Sequence, residues 1–159
     1  MARWFQRSSP GFTFIELIVA TAVLMVLASA AIPLARVSIR RQKEAEAHRE
    51  LRIMRAAIDR FKDMADANQI AATQLQFGCE NYPASLQMLV DGVPRAGATT
   101  TVLKFLRSIP VDPLTNTPDW GLRAYTDAPD STAWGGSCVY DVYTKADGKG
   151  LDGTKYRDW

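Results

Sequence analysis

Nineteen consecutive residues, Leu17 to Ala35, carry no charge, and the run reaches twenty-four from Phe12 if its one acid, Glu16, is included. A helix that crosses the hydrocarbon core of a bilayer needs about 20 apolar residues. The segment therefore has the length and composition of a transmembrane helix. A secretory signal has a shorter apolar stretch, about 7–15 residues, with its cleavage site behind it. Ala28-Ser29-Ala30-Ala31 offers such a small-residue site. Cleavage there would release a soluble exported domain and leave Glu16 without a role.

An acid in that run needs a reason. In the middle of a bilayer it costs about 2.5–3.5 kcal/mol on insertion scales, less near an interface, and such residues usually face a partner or a pathway. If the chain is cut after Gly11, Phe12 becomes an N-terminus with a positive amine, and Glu16 lies one helical turn away. The carboxylate can then pair with its own amine or with that of a neighbouring copy. The simpler alternative is an interfacial acid that snorkels to water.

Gly11, Phe12, Thr13 and Glu16 ahead of a long apolar run resemble the N-terminus of type IV pilins and pseudopilins. The resemblance implies a leader over 1–11, cleavage between Gly11 and Phe12 by a prepilin peptidase, and N-methylation of Phe12. It makes Glu16 the acid that registers subunits during assembly. Pro33 matches that family's proline late in the apolar stretch. A proline inside a helix removes one hydrogen bond and clashes with the preceding turn, so a kink or loosening is expected around Ser29 to Pro33.

The bases are distributed awkwardly. Arg3 and Arg7 precede the run, whereas Arg36, Arg40, Arg41 and Lys43 follow it. The positive-inside rule alone places the C-terminal part in the cytoplasm. The resemblance places it in the periplasm, tethered to the bacterial inner membrane by a single pass, and its motif is the more specific signal. The formal net charge is +2, and without Arg3 and Arg7 basic and acidic side chains are equal in number. Nothing in that balance supports nucleic-acid binding through a basic field.

From Arg36 to about Gln76 neither glycine nor proline interrupts the chain. Ala47, Leu51, Met54, Ile58, Phe61 and Ala65 recur at alternating steps of four and three, one apolar stripe on a helix. The stripe lasts fewer than three heptads, too short for a sustained coiled coil. It predicts a half-exposed helix packed on the C-terminal region. His48, the one histidine, lies beside the stripe as a surface residue without a chemical role.

Beyond the helix, Leu86 to Val90 suggests a short helix or turn, Val102 to Leu106 another helical turn, and Leu122 to Thr126 and Ser137 to Thr144 are strand candidates. Pro110, Pro113 and Pro118 keep the stretch between irregular. The fold class expected is α+β. A long N-terminal helix, membrane-spanning in its first half and amphipathic in its second, packs on a small C-terminal antiparallel sheet with a long irregular loop region. The corresponding segments are 1–11, 12–35, 36–76 and 77–159. Cys79 and Cys138 are either a disulfide, permitted outside the cytoplasm, or two separate thiols.

Three further pieces are similar to the major pseudopilin of type II secretion. They are Tyr82-Pro83 followed by Leu86 and Leu89-Val90, then Ile109-Pro110-Val111-Asp112-Pro113 with Asn116, then Tyr140-Asp141-Val142-Tyr143 leading into Ala146-Asp147-Gly148. That resemblance implies a calcium loop with Asp147, Asp152 and Asp158 as ligands. Lys149, Lys155 and Arg157 weaken the local negative charge, and a turn-rich solvated tail is the alternative. The function implied is a structural subunit of a type II secretion pseudopilus, with the subunit of a surface pilus as the alternative. Its partners would be copies of itself, minor pseudopilins, the prepilin peptidase, an inner-membrane assembly platform and the lipid bilayer. No Ser-His-Asp arrangement, HExxH, P-loop or CxxC suggests an enzyme.

Overall fold

The computed structural model of the protein describes residues 11–98 and 100–159, apart from the side chains of residues 30 and 31. One helix, α1, runs from Phe14 to Asp66 over 53 residues. The chain divides after Arg40 into two compact units.

In the first unit α1 is helical straight through Pro33, so the expected loosening does not unwind it. Hydroxyls on this stretch bond back to the preceding turn, Thr21 Oγ1 to the Ile18 carbonyl at 2.9 Å and Ser29 Oγ to that of Val26 at 2.7 Å. Small polar side chains are thereby satisfied without water, as an apolar surrounding demands.

The second unit is built on the C-terminal half of α1. The six stripe residues are all buried, with Ala57 beside them. They share one core with Leu89, Val93, Val139 and Val142, and Phe61 meets the ring of Phe105 with centroids 5.2 Å apart. The helix ends at Asp66 rather than continuing to Gln76. Asn68 adopts φ 54°, its N–H bonds the Ala65 carbonyl at 2.9 Å, and the Gln69 N–H bonds that of Met64 at 2.9 Å. This left-handed cap satisfies the last carbonyls and turns the chain away. Residues 69–71 then run beside 94–96, joined by Ala71 N–H to the Pro94 carbonyl and Ala96 N–H to that of Gln69.

Helix α2, Leu86–Asp91, starts at Ser85, whose hydroxyl accepts from the Met88 N–H at 3.3 Å. It stops at Gly92, φ 85°, where an added Cβ would lie 2.7 Å from the Leu103 carbonyl oxygen. Only glycine fits there. The sheet region is two antiparallel pairs rather than one sheet. β1 (Val93–Pro94) pairs with β2 (Val102–Leu103), so the helical turn expected from Val102 is instead a strand rung. β3 (Gly121–Arg123) pairs with β4 (Asp141–Tyr143) in the register Gly121–Tyr143, Leu122–Val142, Arg123–Asp141. Both strands are shorter than expected. The Asp127 carboxylate accepts from the Ala124 and Gly135 N–H groups at 2.7 and 3.0 Å and bends the intervening chain into a loop.

Candidate functional site

Helix α1 begins within the segment that the sequence singles out. Thr13 is its cap: the hydroxyl accepts from the Glu16 N–H at 3.3 Å, and the Thr13 carbonyl accepts from Leu17 at 3.2 Å. Glu16 thus occupies the first helical turn, where a negative charge offsets the exposed N–H groups of the helix end. The Thr-x-x-Glu spacing is a capping signature. It was readable in the sequence and gives Glu16 a role inside its own chain besides pairing with an amine.

Gly11 and Phe12 precede the cap, and the Phe12 side chain is exposed. A Cβ placed on Gly11 would meet nothing within 4 Å, and the residue does not adopt the left-handed region. Neither crowding nor backbone conformation calls for glycine there.

From Phe14 onward every described side chain of the run is exposed, on all sides of the helix. Ile15, Leu17, Val19, Val23, Leu24, Met25, Val26, Leu27, Ile32 and Leu34 are among them. The most apolar 18-residue window has a mean hydropathy of 2.5 and is 0% buried. A helix apolar on every side is stable only in lipid or among other apolar helices. This single N-terminal helix is long and apolar enough to span a membrane.

In the second unit Cys79 and Cys138 form a disulfide with Cα atoms 5.5 Å apart. It ties the loop after α1 to the chain entering β4. Trp134 donates from its indole to the Cys138 carbonyl at 2.9 Å. Tyr82, Tyr125 and Tyr140 form a mutual aromatic cluster nearby, with centroids 5.1–6.1 Å apart.

The three candidate calcium ligands are not gathered. Asp147 lines a shallow pocket of about 270 Å³ together with Lys149, Lys155 and Arg157. Asp152 is engaged locally: its Oδ1 accepts from the N–H and hydroxyl of Thr154 at 3.0 and 2.7 Å, which holds its carboxyl below the usual carboxylate range. Asp158 has the guanidinium of Arg157 at 3.9 Å. Among the described residues no three His, Cys, Asp or Glu side chains converge as a metal site. Calcium takes six to eight oxygens, and this arrangement of one pocket carboxylate beside three cations does not fit it.

Glu44, Arg55 and Arg123, to which the sequence reading gave no role, organise this tail. Glu44, buried on α1, accepts from the Tyr156 hydroxyl at 2.9 Å and the Leu151 N–H at 3.1 Å. Arg55 reaches Asp141 at 2.6 Å and the main-chain oxygen of Trp159 at 2.8 Å. Arg123, buried on β3, donates to the Arg157 carbonyl at 2.7 Å and to that of Ser131 at 3.1 Å. Asp112, fully buried in the proline loop, accepts from the Thr144 hydroxyl and from the Leu114 N–H at 2.8 Å. His48 lies on the surface, stacked on the Trp159 ring at 3.9 Å.

Residues 6–32 match the family model described as the prokaryotic N-terminal methylation motif. The match covers the glycine, the phenylalanine, the acid and most of the apolar run. No curated protein and no solved structure matches the chain.

Proposed function

We propose that this chain is the precursor of a type IV pilin-like subunit, cut between Gly11 and Phe12, N-methylated on Phe12, and polymerised through α1. The observation that carries this reading is the N-terminal arrangement. A glycine that the fold does not require precedes a capped helix whose first turn holds the one acid. A helix exposed and apolar on all sides follows. Such a helix rests in lipid before assembly and among its copies afterwards. Removing the leader adds a positive amine near Glu16, and a carboxylate in apolar surroundings gains most from such a partner.

Within that class we favour the pseudopilus of a type II secretion system over a surface pilus. The order of the Tyr82-Pro83, proline-aspartate and Tyr140–Tyr143 segments supports it. So does a disulfide between distant cysteines rather than one closing a late loop. Disulfides persist in oxidising compartments, which supports a periplasmic second unit on an inner-membrane anchor. The partners proposed are further copies, minor pseudopilins, the prepilin peptidase and the inner-membrane platform. The role is structural, not enzymatic.

Mass spectrometry of the mature protein tests the first step. An N-methylated Phe12 terminus is expected, and a chain beginning after Ala31 would refute it. Glu16→Ala should leave membrane insertion intact and abolish filaments; normal filaments from that variant would remove the proposed pairing. Deleting the chain distinguishes the two systems: loss of protein export without loss of surface fibres marks a pseudopilus, and the reverse marks a pilus.

A further inference from the structure

We infer that the C-terminal tail is closed by the protein's own charged side chains, anchored on Glu44 with Arg55 and Arg123 in the place of a metal ion, so that folding of the second unit is independent of divalent cations. The tail from Asp147 to Trp159 is a tight loop. Gly150 N–H bonds the Thr154 carbonyl at 2.7 Å, Lys149 and Lys155 face each other in a bridge, and Gly153 N–H returns to the Gly150 carbonyl at 3.0 Å. In a calcium loop a positive ion is held among six to eight oxygen ligands. Here guanidinium groups supply the positive charge. Arg123 meets the Arg157 oxygen and Arg55 meets that of Trp159, each at hydrogen-bond distance. Both arginines also share the Asp141 carboxylate, at 3.5 and 2.6 Å. That carboxylate offsets part of their charge.

Glu44 completes the closure from the other side. One carboxylate oxygen accepts the Leu151 N–H and the other the Tyr156 hydroxyl. Trp159 seals the end, its indole donating to Thr154 Oγ1 at 2.6 Å and its ring packed edge-on to Tyr156 and flat on His48. The pocket beside Asp147 is lined by Lys149, Lys155 and Arg157, so Asp147 is the one acidic residue there among three basic ones. Asp152 and Asp158 are turned to Thr154 and Arg157 instead.

The test uses the full chain in detergent micelles. Thermal unfolding of the second unit in millimolar calcium and in excess chelator should differ by less than about 1 °C, because a ligand that binds only the native state raises Tm and none is expected here. A rise of several degrees with calcium would overturn the inference. Glu44→Gln and, separately, Tyr156→Phe should speed tryptic cleavage after Lys149 and Lys155 by about fivefold, the effect of one lost hydrogen bond on local opening. Unchanged cleavage in both variants would show that Glu44 does not hold the tail. Tyr156→Phe keeps the ring and its packing, so it reports on the bond even if Glu44→Gln fails to fold.

Discussion

The two halves of α1 belong to one uninterrupted helix yet obey opposite rules. Before Arg40 the described apolar side chains are all exposed; after it they form a stripe turned into a core. Helical backbone is common to both, so propensity does not separate them. The difference is periodicity. Residues 12–35 carry apolar side chains all round the helix, with Glu16 their one charge, and no periodicity selects one face. Residues 47–65 are apolar only at steps of four and three, which defines a single buried side. The second half finds its partner within the molecule, whereas the described side chains of the first half's apolar run are exposed.

The largest predicted effects set the halves against each other. Phe61 is fully buried at the centre of the second unit. Phe61→Ala should destabilise that unit by about 3–5 kcal/mol, as expected for a large-to-small change in a packed core. Leu24 lies midway along the apolar run and is 63% exposed. Leu24→Arg should leave the unfolding of the second unit unchanged and cost about 2.5–3.5 kcal/mol of membrane insertion. Chemical denaturation in micelles and a membrane-fractionation assay read the two quantities. The comparison breaks if Leu24→Arg lowers the stability of the second unit, because the first half would then have an internal partner.

A smaller effect sharpens the contrast from the side of chain entropy. The disulfide joins residues 59 apart, both in the second unit. The double variant Cys79→Ser, Cys138→Ser should lose about 2–4 kcal/mol, mostly by freeing the unfolded chain. Helicity and membrane association of the first half should not change. Circular dichroism of both proteins under oxidising conditions checks this, and equal stability with and without the bridge would refute it.

What was legible in the sequence follows the range of the interactions. The N-terminal motif is contiguous, so Gly11, Phe12 and Glu16 stand out by their resemblance to a known N-terminus, and the stripe from Ala47 to Ala65 became the observed core face residue for residue. Where a local signal was weak, boundaries failed. No glycine or proline marks the end of α1, and the left-handed Asn68 that stops it looks like any polar residue in a helix. Val102 and Leu103 pair with Val93 and Pro94, a contact that no window around Val102 contains. Glu44 was invisible for the same reason, since its partners Leu151 and Tyr156 lie more than a hundred residues away. The aspartates of the tail misled in the opposite sense. The family resemblance implies a metal loop, but ligands must converge in space, and Asp152 is taken up by its own Thr154 turn.

That distinction between local and long-range ties predicts a modest pH dependence confined to the second unit. Asp127 is held below the usual carboxylate range by the N–H groups of Ala124 and Gly135, Asp152 by the hydroxyl and N–H of Thr154, and Asp66 by the Asn81 amide and Lys62. Each binds its proton less readily when folded than when unfolded. Each therefore stabilises the fold at neutral pH, above the ordinary carboxylate value, and the contribution disappears as pH falls through the lowered folded value. All three are solvent-facing, so the effect should be the smallest of those considered. Asp127→Asn should lower Tm slightly at pH 7, and the gap from the parent protein should close on acidification below about pH 3–4. A gap that instead widened in acid would mean that the carboxylate is more basic in the folded state, contrary to its two N–H donors. The loop from Ala124 to Gly135 would then have to be held by something other than Asp127.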